Sequence, residues 1–360
     1  MSDESGSGQR VLLVGGSGFV GSHVADEFLA RGWEVVIFGR SPEKFRPPSP
    51  YITYVRGRIS EHSLLDAAMS RNIDCVVHLV SSTIPSISNA NPAFDVRSNL
   101  VDAFALLESC VKHKVRKLMF ASSGGTVYGI PKRLPITEDD PTNPICSYGI
   151  VKLALEKYLQ LYHRLHGLEY VALRISNPYG PRQDPRHVQG VVSVFAAQLL
   201  ENRPITIWGT GRVVRDFIHV QDLARLFYDA AVSHVTGVFN AGSGIGVSLN
   251  DLLAMMIAQY GVQAQVNRVA ARACDVPAAV LDYEKAKRVF GWTPQISLER
   301  GVQEVRAWIL QDVLRAQLPV QTLTIAGEAQ NPLSGIDLQS NGLDMATPVP
   351  ELALPATGSA

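Results

Sequence analysis

Residues 11–22 read VLLVGGSGFVGS: an uncharged apolar run, a glycine-rich turn, and the opening of an amphipathic segment. The apolar run has the length and composition of a buried strand. The stretch from Phe19 to Ala30, closed by Gly32, has the spacing of a helix. Between them Gly15, Gly18 and Gly21 are set G-x-x-G-x-x-G. Glycines at such a strand-to-helix turn let backbone N–H groups approach a pyrophosphate, and the helix N-terminus adds partial positive charge toward it. Phe19 and Val20 open the helix at the same mouth. A glycine turn that serves packing alone is the simpler alternative.

Outward from this unit the pattern repeats. Strand-like runs at 34–38, 51–55, 74–79, 116–121 and 170–175 alternate with helix-like stretches at 60–70, 93–112 and 148–166. The alternation predicts an α/β fold: a Rossmann-type, doubly wound parallel sheet with a smaller C-terminal α/β substrate domain. The expected organisation is a flexible N-terminus at 1–8, a dinucleotide-binding domain at 9–176 and a substrate domain at 177–314 that is partly interleaved with the sheet. A disordered tail is expected at 315–360, where Pro, Gly, Ser, Thr and Gln occur without periodicity.

Composition narrows the function. The chain has 33 basic and 33 acidic residues, so no net field draws it to nucleic acid. Cys75, Cys110, Cys146 and Cys274 stand far apart, with no metal-ligand spacing, and read as free thiols of a cytoplasmic protein. The first apolar run is too short for a signal segment or a membrane span.

Tyr148 and Lys152 form Y-x-x-x-K, an i, i+4 spacing that puts both side chains on one helix face. A free tyrosine, with a pKa of about 10, is a poor base at neutral pH. An adjacent ammonium and a positive nicotinamide ring both favour the phenolate, which can then accept a proton from a sugar hydroxyl. The second strand ends at Gly39-Arg40, where an NAD site usually carries a carboxylate for the ribose hydroxyls. Arg40, with Arg58 after the third strand, suits a 2′-phosphate or is a solvated loop charge. The cofactor is therefore read as NAD, with NADP left open.

Motifs farther along the chain extend the reading: HLVSS at 78–82, SSGGTVYG at 122–129, SYGIVK at 147–152, RISNPYGPRQ at 174–183, GTGRVVRDFIHVQD at 209–222 and ARACDVP at 271–277. Together with the glycine turn they resemble the extended short-chain dehydrogenase/reductases, most closely the UDP-galactose (UDP-glucose) 4-epimerase branch. The resemblance implies transient oxidation at C4 of a UDP-sugar, rotation of the 4-keto sugar, and reduction on its other face.

It also implies roles. Tyr148 is the base and Lys152 its partner; Ile59, Leu79 and Asn99 lie on the cofactor side. Asn177, Arg215 and Arg272 hold the diphosphate, Asp275 lies near the uridine ribose, and the position of Ala279 is one that limits pocket size when a tyrosine stands there. A residue as small as Ala279 leaves room for a 2-acetamido group, so N-acetylhexosamines join the plain hexoses as candidate substrates. The hydroxyl that polarises the sugar oxygen falls on Gly124, which has none; Thr126, ahead of Ser123, is the expected replacement. Arg215 next to Asp216 is alternatively a structural ion pair, and His219 reads as a core histidine.

The alternative reaction on this scaffold is NADPH-dependent reduction of a 4-keto deoxysugar nucleotide. A non-catalytic dinucleotide sensor would not need Tyr148 and Lys152. No metal is expected. The apolar face of 93–111 is expected to serve a homodimer contact.

Overall fold

The computed structural model describes residues 8–186, 190–271 and 276–317. The tail from 318 onward, with Arg272, Cys274 and Asp275, lies outside the described residues; 315–317, assigned to the tail from sequence, continue the last helix.

The first half supplies β1 (Arg10–Val14), α1 (Phe19–Ala30), β2 (Glu34–Gly39), β3 (Ile52–Arg56), α2 (His62–Met69) and β4 (Cys75–His78). Two short helices follow, α3 (Pro85–Ser88) and α4 (Pro92–Asp95). Then come a π-helical turn at Val96–Val101, α5 (Asp102–Lys112), β5 (Lys117–Ser123), α6 (Ser147–His166) and β6 (Glu169–Ile175). The second half holds β7 (Asn177–Tyr179), α7 (Val191–Leu200), β8 (Ile205–Trp208), β9 (Val214–His219), α8 (Val220–Val232) and β10 (Gly237–Ala241). It ends with β11 (Gly246–Ser248), α9 (Leu249–Tyr260), β12 (Val266–Val269), β13 (Ala278–Ala279), α10 (Glu284–Phe290) and α11 (Leu298–Gln317).

Seven strands form one sheet in the order β10-β6-β5-β4-β1-β2-β3, and every pairing in it is parallel. A parallel sheet needs cover on both faces, which is why its central strands β1 and β4 are buried almost throughout, while the edge strand β3 alternates. Val11, Leu12, Leu13 and Val14 are fully buried. One face packs on α1 and α8 through Phe28, Leu223 and Phe227; the other packs on α2, α5 and α6 through Leu65, Leu107 and Leu155. The order reverses between β1 and β4, so a crevice opens at their carboxyl ends, next to the glycine turn.

The remaining strands build two small sheets, one of β7, β9, β11 and β13 and one of β8 and β12. They share a third core with α7, α9 and α11.

The helix expected at 93–112 is not uniform. Its middle turn is π-helical at Val96–Val101, with Asn91 Oδ1 capping Phe94 N–H at its start. The wide turn brings Asp95 and Asn99 to one inward-facing site, a use of π-turns common near functional sites.

Beneath the crevice Glu156 of α6 pairs with Arg174 of β6 at 2.7 Å, both almost fully buried. Ser122 Oγ at the end of β5 donates to Glu156 Oε1 at 2.5 Å. The Arg174 guanidinium lies over the Tyr128 ring, 4.8 Å from its centre. Glu156→Ala leaves Arg174 buried and unpaired and should cost about 3–5 kcal/mol in urea unfolding; a loss below about 1 kcal/mol would show that the pair does not hold these elements together.

Candidate functional site

The turn after β1 is closed by its own backbone. Gly15 N–H donates to the Phe38 carbonyl at 2.8 Å, and Gly18 N–H donates to the Gly15 carbonyl at 3.1 Å. Gly15 stands at φ +93°, a left-handed conformation that only glycine adopts freely. A Cβ on Gly21 would overlap the Gly15 carbonyl oxygen and come within 2.7 Å of Gly16 Cα. The first turn of α1 can therefore press against the loop.

Gly18 caps α1 without a side-chain hydrogen bond, which leaves the first-turn N–H groups for a ligand. At the end of β2, a Cβ on Gly39 would meet Ser17 Oγ at 3.7 Å, an ordinary contact. A Cβ would fit there, and no carboxylate is present at the strand end. Arg40 and Arg58 are exposed beyond the strand ends, and the Arg58 N–H is held by Glu61 Oε2 at 2.6 Å. Ile59 is buried.

Phe19, Val20, Leu79, Ser123, Thr126, Tyr148, Lys152, Asn177 and Arg215 all line one cleft of about 500 Å³. Motifs from both halves of the chain are thereby brought to one wall-and-floor arrangement only by the fold. Ala279 is buried on β13, in register with Arg215, and is not itself a lining residue.

The helix that carries Tyr148 and Lys152 is capped from outside. Its N-cap, Cys146, makes no side-chain cap. Instead Asn89 Oδ1 accepts from Ser147 N–H at 2.8 Å and Ser88 Oγ accepts from Tyr148 N–H at 3.2 Å. Ser147 Oγ donates to Asp95 at 2.6 Å. Asp95, fully buried, also accepts from Thr83 Oγ1 at 2.6 Å and Asn99 Nδ2 at 2.8 Å. Asn99 Oδ1 takes the Ser82 N–H at 2.7 Å, so its amide braces the cleft wall and is not among the cleft-lining groups.

Sequence reasoning missed Ser88, Asn89 and Asp95. The signal was an N-cap with no oxygen at a helix that must begin sharply. It also missed Glu156 and Arg174, although each is a charge inside an apolar run.

Lys152 is buried, donates to the Ala121 carbonyl at 2.8 Å, and lies 5.4 Å from the centre of the Tyr148 ring. Burial lowers its pKa to about 8, with the Asp95 and Glu156 carboxylates pulling it back up. Burial likewise pushes the Tyr148 phenol up to about 12, opposed by a hydrogen bond from Ser81.

On the substrate side, Asn177 Nδ2 donates to the Asp216 carbonyl at 2.9 Å, and Arg215 Nη1 donates to the Val276 carbonyl at 2.7 Å. Strand alternation turns Asp216 to the opposite side from Arg215. Its buried carboxylate accepts from Ser243 N–H at 2.7 Å and Leu281 N–H at 3.1 Å. His219 is buried against the Tyr179 ring, and burial lowers its pKa. Among the described residues no cluster of His, Cys, Asp or Glu could hold a metal ion.

The uncapped glycine turn and the apolar cleft mouth next to the buried lysine fit a nicotinamide dinucleotide. The model of the NAD dependent epimerase/dehydratase family matches residues 11–242. A UDP-glucose 4-epimerase of Mycolicibacterium smegmatis is 33% identical over 300 residues, covering 81% of this chain and 96% of that protein. The solved UDP-glucose 4-epimerase of Thermotoga maritima with UDP-glucose is 33% identical, with a TM-score of 0.81 over 85% of this chain and 100% of that one. The Thermus thermophilus UDP-glucose 4-epimerase complexed with NAD is 32% identical, with a TM-score of 0.79 over 84% and 99%.

In the cofactor-free protein the Lys152 ammonium should lose its proton near pH 8, well below the ordinary value of 10.5. The unfolded chain then binds more protons between those two values, so stability should rise with pH through that window. Carbon-13 NMR of the lysine Cε, assigned with Lys152→Met, reads the midpoint directly; titration above pH 10 would contradict the assignment of burial as the dominant effect.

Proposed function

Because the chain belongs to the NAD dependent epimerase/dehydratase family, we propose that it interconverts C4 epimers of a UDP-sugar with NAD as resident cofactor. The observation that carries this is one cleft holding Tyr148 and Lys152 together with Asn177 and Arg215, below an uncapped glycine turn. The similarity to epimerases, one of them complexed with NAD, supports this reading over net NADPH-dependent reduction of a 4-keto sugar.

Gly15, Gly18 and Gly21 would let the pyrophosphate approach the first-turn N–H groups of α1, which Phe19 and Val20 open, with Leu79 along the cleft beside it. Bound there, NAD supplies reversible two-electron oxidation at the sugar carbon. Tyr148 moves the proton of the C4 hydroxyl. With its phenol held up to about 12, it keeps its own proton at neutral pH in the free protein, and the base forms when positive charge is brought near. Lys152, already charged one helical turn away, supplies part of that field, and the positive ring of a bound nicotinamide would add the rest.

Thr126, seconded by Ser123, supplies a hydroxyl to the sugar oxygen. Asn177 and Arg215 bind the diphosphate, the guanidinium fork suiting phosphate oxygens. Arg272 and Asp275, outside the described residues, are proposed for the second phosphate and the uridine ribose. Ala279, beside Arg215 in register, is proposed to admit a 2-acetamido sugar as well as a plain hexose. Residues 9–176 would bind the dinucleotide and 177–314 the nucleotide-sugar, with β10 returned to the main sheet.

Among the described residues no helix is long and apolar enough to cross a membrane. Cys75 and Cys110 are buried free thiols, which supports a reducing, cytoplasmic setting. We further infer a homodimer. Phe94 and Val101 on one side, and Ile150, Leu161 and Leu165 along α6, are exposed apolar residues at helical spacing on elements that pack together.

Purified protein without added cofactor should convert UDP-glucose to UDP-galactose, and UDP-N-acetylglucosamine should react if Ala279 leaves the room proposed for it. Tyr148→Phe should lower turnover about 10²- to 10⁴-fold while dinucleotide stays bound by mass spectrometry; near-normal turnover would remove Tyr148 from the mechanism. For the dimer, light scattering should give twice the chain mass at micromolar concentration and a single-chain mass for Leu165→Glu with Val101→Glu. A monomeric wild-type protein would refute the contact.

A further inference from the structure

We propose that Leu281 bars position 124 from supplying the hydroxyl for the reacting sugar oxygen: it fills the space that any side chain there would need, and so leaves the role to its neighbours, Thr126 ahead of Ser123. The inference rests on the UDP-sugar reading above.

Gly124 follows the end of β5 and is buried, with its N–H donating to the Ile175 carbonyl at 2.8 Å. A Cβ built on it would overlap Leu281 Cδ1 and stand 3.0 Å from the Arg174 carbonyl oxygen. Leucine side chains often yield to such an intrusion, but this one is confined. Leu281 is 1% exposed and packs with Val127, Tyr128 and Ile136. Its backbone is tied by a bridge to Ile136 and by its N–H to Asp216 Oδ2 at 3.1 Å. A Cβ on Gly242 would overlap Asp216 Oδ2 and come within 2.9 Å of Leu281 Cβ. The leucine therefore packs closely against two positions that carry no side chain.

The nearby hydroxyls differ in what they are free to do. Ser122 Oγ is taken by Glu156 at 2.5 Å. Thr126 lines the cleft, yet its Oγ1 is buried and has no hydrogen-bond partner. A buried hydroxyl without a partner is costly, and because Oγ1 has no hydrogen bond to lose, a rotation about χ1 that presents it to a ligand oxygen would relieve that cost. The backbone of Thr126 also abuts the start of α6, since a Cβ on Gly149 would lie 2.8 Å from the Thr126 carbonyl oxygen. Thr126 is therefore held against the residue that follows Tyr148. Leu281 acts as a positioning residue: it touches no substrate and works by exclusion.

The test compares Thr126→Val, Gly124→Ser, Leu281→Ala, the Gly124→Ser/Leu281→Ala double variant, and the double variant carrying Thr126→Val, using the full chain. Melting temperatures are read without substrate, and kcat and KM are read with UDP-glucose. Thr126→Val should lower kcat about 100-fold with KM nearly unchanged. Gly124→Ser alone should melt below wild type, and the double variant should melt well above the sum of the two single losses. In the double background, where a serine hydroxyl has been restored, Thr126→Val should cost less than about fivefold.

An equal cost of Thr126→Val in both backgrounds would overturn the assignment of the hydroxyl, and additive melting losses would overturn the steric exclusion. A wild-type protein that turns over no UDP-sugar would remove the epimerase reading and the hydroxyl role with it. The melting comparison does not depend on the reaction, so it would still judge the packing of Leu281 against position 124.

Discussion

A single face of α6 has to serve three depths at once. Tyr148, Lys152 and Glu156 follow one another at four-residue spacing, from the cleft wall, to a buried ammonium, to a carboxylate sealed in the core. Two charges on one buried stripe are tolerable only if each finds a partner. Glu156 finds Arg174 from β6 and Ser122 from β5, and Lys152 finds the Ala121 carbonyl. The helix is therefore locked in rotation and height against the two strands whose ends form the cleft floor, and the reactive tyrosine inherits its position from that lock.

The second half of the chain is fastened to the same floor by a different buried carboxylate. Asp216 on β9 accepts from Ser243, Gly244 and Leu281, and burial raises its pKa despite those donors. Through it the strand bearing Arg215 and the segment bearing Leu281 keep a fixed relation to the end of β5. Contacts with a substrate on one side and the exclusion of a side chain at Gly124 on the other thus share one anchor.

Two strand ends at the cleft edge are bare of chemistry for different reasons. At Gly39 a Cβ would meet nothing closer than an ordinary contact and no carboxylate is present, whereas Gly124 has neither a hydroxyl nor room for one. Both are single residues at the carboxyl edge of a parallel sheet, where side chains meet ligands rather than one another. The two differ in cost: a side chain at Gly39 would meet only ordinary contacts, while one at Gly124 has to displace Leu281.

The alternation of apolar strands with amphipathic helices, the glycine turn and the Tyr148–Lys152 spacing were all legible in the sequence, because each is written in residues no more than a few positions apart and follows from helix and strand periodicity. The caps that Ser88, Asn89 and Asp95 place on α6 were not, nor was the packing of Leu281 against Gly124 and Gly242. The use of Asn99 as a brace was equally invisible. Most of these depend on groups distant in the chain meeting at hydrogen-bond or van der Waals distance, and no local pattern encodes which partner arrives. What the sequence determined by itself was the order and type of elements and the kind of chemistry they carry; which hydroxyl, which cap and which counter-charge serve that chemistry was decided only by the packing, because those choices are settled by steric exclusion and burial, which exist only once the chain is folded.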